Sequence, residues 1–158
     1  MSIRTLQPER LWKEFYEICQ IPHPSKKEEK MIAYLQEFGK RHNLETRTDA
    51  AGNVLICKPA TPGYENRKKV ILQSHMDMVC EKNNDTQHNF DTDPIQPYID
   101  GEWVKAKGTT LGADNGIGMA TELAILASND LKHPALECLF TVDEETGLTG
   151  AFAIDPEL

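Results

Sequence analysis

The 158-residue sequence has no long apolar run, no closely spaced cysteine pair and fewer basic than acidic residues. Its 17 lysines and arginines stand against 25 aspartates and glutamates, which gives a net charge of −8. A protein that binds a nucleic-acid backbone needs clustered basic residues to displace counterions, so we expect no nucleic-acid partner. Because no apolar run is long enough, we also expect no membrane span and no N-terminal secretory signal.

The four cysteines are scattered along the chain, at Cys19, Cys57, Cys80 and Cys138. Their spacing fits neither a thiolate zinc site nor a disulfide framework. It predicts free thiols in a cytoplasmic protein, since disulfides persist mainly in oxidising compartments. An apolar fraction of 39% over this length is sufficient for one domain with a hydrophobic core.

Two helices are predicted at the start of the chain. The first follows Pro8, a residue suited to a first helical turn, and a loop with two prolines at 21–24 ends it. Ser25, with Glu28 three residues later, predicts a capping box at the start of the second helix. The apolar stripes of the two helices are Leu11, Phe15 and Ile18, and then Met31, Leu35 and Phe38.

The rest of the chain alternates short strands with helices, which indicates an α/β fold with a mixed central β-sheet flanked by helices. The apolar runs 69–74 and 136–142 are typical of strands buried on both faces. A hairpin is expected around Asp100-Gly101, where turn residues separate two short strands. The predicted strands are 45–48, 54–58, 69–74, 95–99, 102–106 and 136–142, and further helices are expected at 115–127 and from Glu145 onward.

Three polar motifs follow predicted strands or begin helices. His75 and Asp77 come at the end of the strand 69–74. Residues two apart on an extended backbone point to the same side, so the two side chains face one spot. A neutral imidazole is a good zinc ligand, and a nearby carboxylate fixes its tautomer. Taken alone, the pair is more simply interpreted as a polar cap on a strand end.

The second motif places Asp114 among three glycines at the start of a predicted helix, where it is either a bridging metal ligand or an ordinary N-cap. The third is the run Asp143, Glu144 and Glu145 after a buried strand. Three adjacent carboxylates repel one another unless a cation lies among them. The alternative is a solvated turn whose acids stabilise the following helix N-terminus.

Together the three motifs predict a metal centre on one rim of one sheet. Imidazole and carboxylate ligands without thiolate match zinc or manganese. Two metals about 3.5–4 Å apart can share a carboxylate and activate a hydrolytic water, so a hydrolase is the expected reaction class. The remaining histidines are expected to belong to the surface or to loops, and these are His23, His42, His88 and His133.

The three motifs resemble those of the aminoacylase and carboxypeptidase clan of co-catalytic zinc peptidases. The longer segments 74–83, 108–120 and 141–151, with the loop 21–25, resemble one branch, the aminoacyl-histidine dipeptidases. The resemblance implies a zinc-exopeptidase-like catalytic domain that hydrolyses small dipeptides of the Xaa-His type. Within the clan, tripeptide aminopeptidases and N-acyl amino-acid deacylases use the same metal chemistry and stay open as alternatives.

The resemblance also implies a role for each residue of the site. His75 would bind one zinc, Asp114 would bridge two, and Glu145 would bind the other. Asp77 would orient His75, and Glu144 would be the general base that takes a proton from the hydrolytic water. Two zinc ions, with manganese or cobalt as substitutes, are the implied cofactors.

Further family features concern the backbone and the length of the chain. The peptide bond between Asp114 and Asn115 is expected to be cis. A further acidic ligand and a further histidine are expected beyond Leu158, as is a lid-like domain that helps bind substrate and offers a surface for a homodimer. Residues 1–158 are therefore expected to be the N-terminal part of a catalytic domain, inactive alone. A metal-binding scaffold without catalytic activity is the alternative from another class.

Overall fold

Two β-sheets and four α-helices form the framework of residues 2–158, which are the residues described by this computed structural model. A short 3-10 turn at Ile3–Thr5 comes first. The helices are α1 (Glu9–Cys19), α2 (Glu29–Arg41), α3 (Ala113–Ala127) and α4 (Thr149–Phe152). The strands are β1 (Glu45–Thr48), β2 (Val54–Lys58), β3 (Val70–His75), β4 (Pro97–Asp100), β5 (Trp103–Ala106) and β6 (Leu136–Thr141).

The larger sheet has the strand order β1-β2-β6-β3. Its first three strands pair antiparallel, whereas β3 and β6 run parallel, with His75 opposite Thr141. The sheet is therefore mixed, which confirms the predicted α/β class. Because β3 and β6 are parallel neighbours, the residues that follow them leave the sheet side by side at the same edge.

Helices pack onto this sheet and onto one another through the apolar stripes that the sequence predicts. Phe15 and Ile18 of α1 are 1% exposed, and the three stripe residues of α2 are at most 1% exposed. Helix α3 packs against both β3 and α1 and buries Met119 and Leu123. Each fully buried side chain of this size stabilises the fold by about 1.5–3 kcal/mol.

The predicted burial of β3 on both faces is wrong for its first half. Val70 is 40% exposed and Ile71 is 62% exposed, whereas Ser74 and His75 at the other end are buried. The reason is the strand order. Among residues 2–158, β3 lies at the edge of the larger sheet, whereas β6, which has a similar apolar run, lies between two other strands. The apolar composition alone does not distinguish the two positions.

The capping box predicted at Ser25 is also wrong. Helix α2 begins at Glu29, and no side chain caps its N-terminus. Lys26 has φ 68°, so the backbone between Ser25 and the helix is not the extended lead-in that a capping box requires. The side chains of Ser25 and Glu28 instead contact residues far along the chain.

The other predicted elements are present with small shifts. The hairpin forms a separate two-stranded sheet, β4 with β5, and Gly101 in its turn has φ +61°. The last helix begins at Thr149 rather than near Glu145, because residues 143–148 form a turn in which Asp143 and Leu148 have positive φ. Among residues 2–158, no helix combines the length and apolar character needed to cross a bilayer.

Candidate metal centre

His75 is the last residue of β3, and its ring is held between two partners. Its Nδ1 lies 3.1 Å from the backbone oxygen of Asp77 and 3.3 Å from Asp77 Oδ1. Its Nε2 lies 2.9 Å from Asp114 Oδ1. The imidazole is thus fixed from behind, and its second nitrogen points toward the other predicted ligands, as a metal-binding histidine requires.

Asp114 reaches this edge because α3 is irregular at its start. Asp114 and Asn115 have non-helical backbone angles, and the peptide bond between them is cis, as the sequence resemblance implies. Gly112 precedes them with φ +72°, a conformation that favours glycine. The Asp114 side chain is 83% exposed, so its carboxylate projects into the cleft rather than capping the helix.

The acidic run lies directly after β6, in the turn 143–148. Glu144 Oε2 is 3.8 Å from His75 Nε2. One ligand atom from each of His75, Asp114 and Glu145 lies within 4.8 Å of the other two. The structure therefore brings together four of the five predicted site residues around one point, and the fifth, Asp77, lies behind them.

Asp77 contacts both the imidazole of His75 and the turn that carries Glu144 and Glu145. Its carboxylate is 1% exposed and faces His75 through Oδ1. The backbone N–H groups of Glu144 and Glu145 donate to Oδ1 at 2.9 Å and to Oδ2 at 3.2 Å. One buried side chain thus orients the imidazole and also holds the turn that presents the two glutamates.

The charges of the site are coupled. Burial alone would lower the pKa of His75, but hydrogen bonds to Asp77 and Asp114 outweigh it and raise that pKa to about 9. Burial would raise the pKa of Asp77, yet its hydrogen bonds to His75, Ser25 and the turn hold it well below the usual range. Partial desolvation and the nearby carboxylates raise the pKa of Glu145. Without an ion, a protonated imidazole offsets only part of the negative charge of the surrounding acids.

A second group of acids, Glu28, Asp77 and Asp143, lies beneath the site and is buried. Each of these carboxylates accepts from a protein donor: Asp77 as described, Glu28 Oε1 from the N–H of Asp143, and Asp143 Oδ1 from the hydroxyl of Thr146 at 2.7 Å. Burial, and then the charge of Asp77, raise the pKa of Glu28. Hydrogen bonds thus tie each of these three carboxylates to the protein around the site.

The predicted site opens into a cleft of about 480 Å³. Polar residues of β3, β6 and α3 form one part of its lining, and Leu148, Ala151 and Ile154 from the last segment form an apolar part. Such a mixture suits a small ligand with both polar and apolar groups. The lining also includes Gln73, whose side-chain amide donates to Thr141 Oγ1 at 3.2 Å.

Sequence reasoning missed Asn53, which the structure places at 0% exposure beneath the end of β6. Its Oδ1 accepts from the N–H of Val142, and its Nδ2 donates to Gly150 O. The sequence shows only an asparagine beside a glycine in a turn, so no local signal indicates these distant contacts. Asn53 fixes the two ends of the segment that contains the acidic turn.

The four histidines that were expected to belong to the surface or to loops divide into two groups. His42 and His88 are exposed or half-buried, as predicted, but His23 and His133 are buried, at 4% and 7% exposure. Neither of the buried pair belongs to a group of side chains placed to bind an ion among residues 2–158. All four cysteines are free, which confirms the prediction that they form no disulfide.

Comparison with known proteins shows the family to which the chain belongs. The model of peptidase family M20/M25/M40 matches residues 71–155, the segment that contains all five site residues. The cytosol non-specific dipeptidase of Escherichia coli is 58% identical over 153 residues, which cover 97% of this chain and 32% of the relative.

Two solved structures of peptidases also match this chain in fold. The aminoacylhistidine dipeptidase of Vibrio alginolyticus superposes with a TM-score of 0.96 at 59% identity, covering 98% of this chain and 32% of that one. The aminopeptidase PepT of Bacillus cereus gives a TM-score of 0.77 at 27% identity, covering 96% and 41%. The chain thus spans about a third of the length of the dipeptidases it matches. With the family match extending over more than half of its residues, this chain belongs to peptidase family M20/M25/M40.

Proposed function

We propose that this chain is the N-terminal part of the catalytic domain of a metal-dependent dipeptidase. The observation that carries the proposal is the meeting of His75, Asp114 and Glu145 at one edge of the sheet, with Asp77 behind the imidazole. Family membership supports the reaction class, since the matched family is one of peptidases. The proposal extends to the longer protein, because the chain spans only a third of its dipeptidase relatives.

The three proposed ligands fit zinc by their chemistry. One imidazole nitrogen and two carboxylates form a nitrogen and oxygen donor set of the kind that binds zinc. His75 Nε2 and Asp114 Oδ1 face each other at 2.9 Å, so both atoms are directed at the same space. Asp114 would bridge two ions, with His75 on one and Glu145 on the other, while manganese or cobalt are possible substitutes.

Bound divalent metal supplies two things in such a site: it lowers the pKa of water and polarises the scissile carbonyl. The chain's own residues do the rest. Asp77 keeps the proton of His75 on Nδ1, which leaves Nε2 as the ligand atom. Glu144, 34% exposed and beside His75, takes the proton of the attacking water at its carboxylate and passes it to the leaving amine. Its neighbour Glu145 is held in place by the same turn.

Small dipeptides are the proposed substrates, including those with C-terminal histidine. Two relatives of similar identity carry different substrate descriptions: one is a non-specific dipeptidase and the other an aminoacylhistidine dipeptidase. Both descriptions are satisfied by an enzyme that accepts Xaa-His among other dipeptides. A lid-like domain and the remaining metal ligands, all beyond Leu158, would complete the site and offer a dimer surface. We propose a cytoplasmic location, in line with the free thiols and the cytosolic relative.

The direct test is hydrolysis of matched dipeptides by the longer protein. A panel that pairs Xaa-His with the same Xaa before alanine or leucine is incubated with and without a chelator. We expect hydrolysis of Xaa-His and of other dipeptides, loss of all turnover after chelation, and recovery with added zinc. Turnover of acylated amino acids or tripeptides alone would reassign the chain within the clan, and no turnover of any of these would contradict an enzymatic role.

A further inference from the structure

The segment 25–28, which the sequence suggests is a helix cap, contacts the acidic turn instead. Ser25 Oγ donates to Asp77 Oδ2 at 2.7 Å. Glu28 Oε1 accepts from the backbone N–H of Asp143 at 2.9 Å and from that of Lys26 at 3.1 Å. The bond between Glu28 and Asp143 is buried and joins residues 115 apart in the sequence.

Glu28 is buried although its chain neighbours are not. It is 5% exposed, whereas Lys27 and Glu29 on either side are exposed. Burying a carboxylate is costly unless it gains hydrogen bonds, and it makes none to the N-terminus of α2. In its buried position the Glu28 carboxylate gains a hydrogen bond from the N–H of Asp143.

The acidic turn offers three consecutive backbone donors, and each has a carboxylate partner. The N–H of Asp143 donates to Glu28, and those of Glu144 and Glu145 donate to Asp77. Asp143 has φ +48°, a conformation that a residue with a side chain keeps only when its surroundings hold it. The backbone that presents the two glutamates is thus fixed from below by two carboxylates.

We infer that Glu28 and Ser25 are positioning residues for Glu144 and Glu145. Glu28 acts on the turn by holding the Asp143 N–H, and Ser25 acts by fixing the Asp77 carboxylate that holds the next two. Their effect on turnover rests on the proposed function, whereas their effect on the turn does not.

Matched substitutions separate positioning from general packing. Glu28→Ala removes the acceptor and leaves the Asp143 N–H buried without a partner, while Glu28→Gln keeps an acceptor oxygen in the same place. Ser25→Ala removes the donor to Asp77, while Ser25→Thr keeps a hydroxyl. Glu29→Ala, at the exposed next position, is the control for loss of a nearby glutamate.

Two measurements are made on the longer protein: amide hydrogen exchange of the segment 142–148, and kcat and KM for a dipeptide. We expect faster exchange in this segment for Glu28→Ala and Ser25→Ala. The value of kcat should fall about tenfold or more with KM changed less than about twofold, since small misplacements of catalytic groups are costly. Glu28→Gln, Ser25→Thr and Glu29→Ala should remain near the wild type.

Other outcomes overturn the inference. Unchanged exchange and kcat in both alanine variants would do so, as would faster exchange spread evenly over the whole chain. If Glu28→Ala does not fold, the two Ser25 variants decide the question by the same readouts. A wild-type protein without peptidase activity would end the proposed function, but faster exchange confined to 142–148 would still support the positioning role.

Discussion

At the scale of single residues, Asp77 links the two halves of the candidate site. Its side chain faces the imidazole of His75 and accepts from the N–H groups of Glu144 and Glu145. The sequence resemblance implies the first contact but not the second. The second contact is tertiary, between residues 67 and 68 positions apart, so no local pattern predicts it.

Glu144 and Glu145 are adjacent, yet the proposal gives them different roles. Glu144→Gln in the longer protein should leave the zinc content near normal and lower kcat by about 100-fold or more, because an amide cannot take the proton. Metal analysis of the purified variant and steady-state kinetics measure both quantities. Loss of zinc in this variant would instead make Glu144 a ligand, and Glu145→Gln is the matched comparison, for which zinc loss is expected.

Glu122 on α3 predicts a pH dependence of stability. It is 4% exposed, its Oε2 has no hydrogen-bond partner, and burial raises its pKa to about 8 from 4.5. Between these two values the folded state retains a proton that the unfolded state has lost, so stability falls as pH rises. Each pH unit in this window is worth about 1.4 kcal/mol.

Glu122→Gln removes this ionisation. The free energy of unfolding of the variant, relative to the wild type, should therefore grow from pH 5 to pH 8 and level off above it. Urea denaturation at several pH values measures the difference, and Glu37→Gln, at an exposed position on α2, controls for loss of a charge. A difference that does not vary with pH would contradict the account.

At the scale of elements, the parallel pairing of β3 and β6 is what assembles the site. It sets His75 beside Thr141, so the residues after each strand leave the sheet together. Strand and helix positions follow from hydrophobic periodicity, and most were predicted within a few residues. The edge position of β3 was not, because strand order depends on contacts that composition does not encode. The long-range contacts of Ser25 and Glu28 were missed because the spacing of these two residues also fits a local helix-capping motif.

The short helix α4 lies tightly against the end of β6. A Cβ at Gly150 would clash with the carbonyl oxygen of Val142 and lie 2.7 Å from Asn53 Oδ1. Gly150→Ala should therefore lower the free energy of unfolding by about 1–3 kcal/mol, as overpacking does. Thermal or urea unfolding measures it, with Ala153→Ser at an exposed nearby position as the control. An unchanged stability would show that this packing is looser than the distances indicate.

At the scale of the whole molecule, a metal that binds only the folded state must stabilise it. At a zinc concentration about 100 times the Kd, the gain is about 2.7 kcal/mol, which raises the melting temperature. The longer protein should show this increase, and His75→Ala should reduce it strongly. A melting temperature that ignores added zinc in the wild type would leave only the scaffold interpretation.

The central claim is that His75, Asp114 and Glu145 bind the two catalytic metal ions. Its most direct test is anomalous X-ray diffraction at the zinc absorption edge, from crystals of the longer protein grown with zinc. We expect two anomalous peaks at ordinary zinc ligand distances, about 2.3 Å or less: one beside His75 Nε2, one beside a carboxylate oxygen of Glu145, and an Asp114 oxygen next to each. The claim would be contradicted by a peak among Glu28, Asp77 and Asp143 instead, or by no peak beside His75.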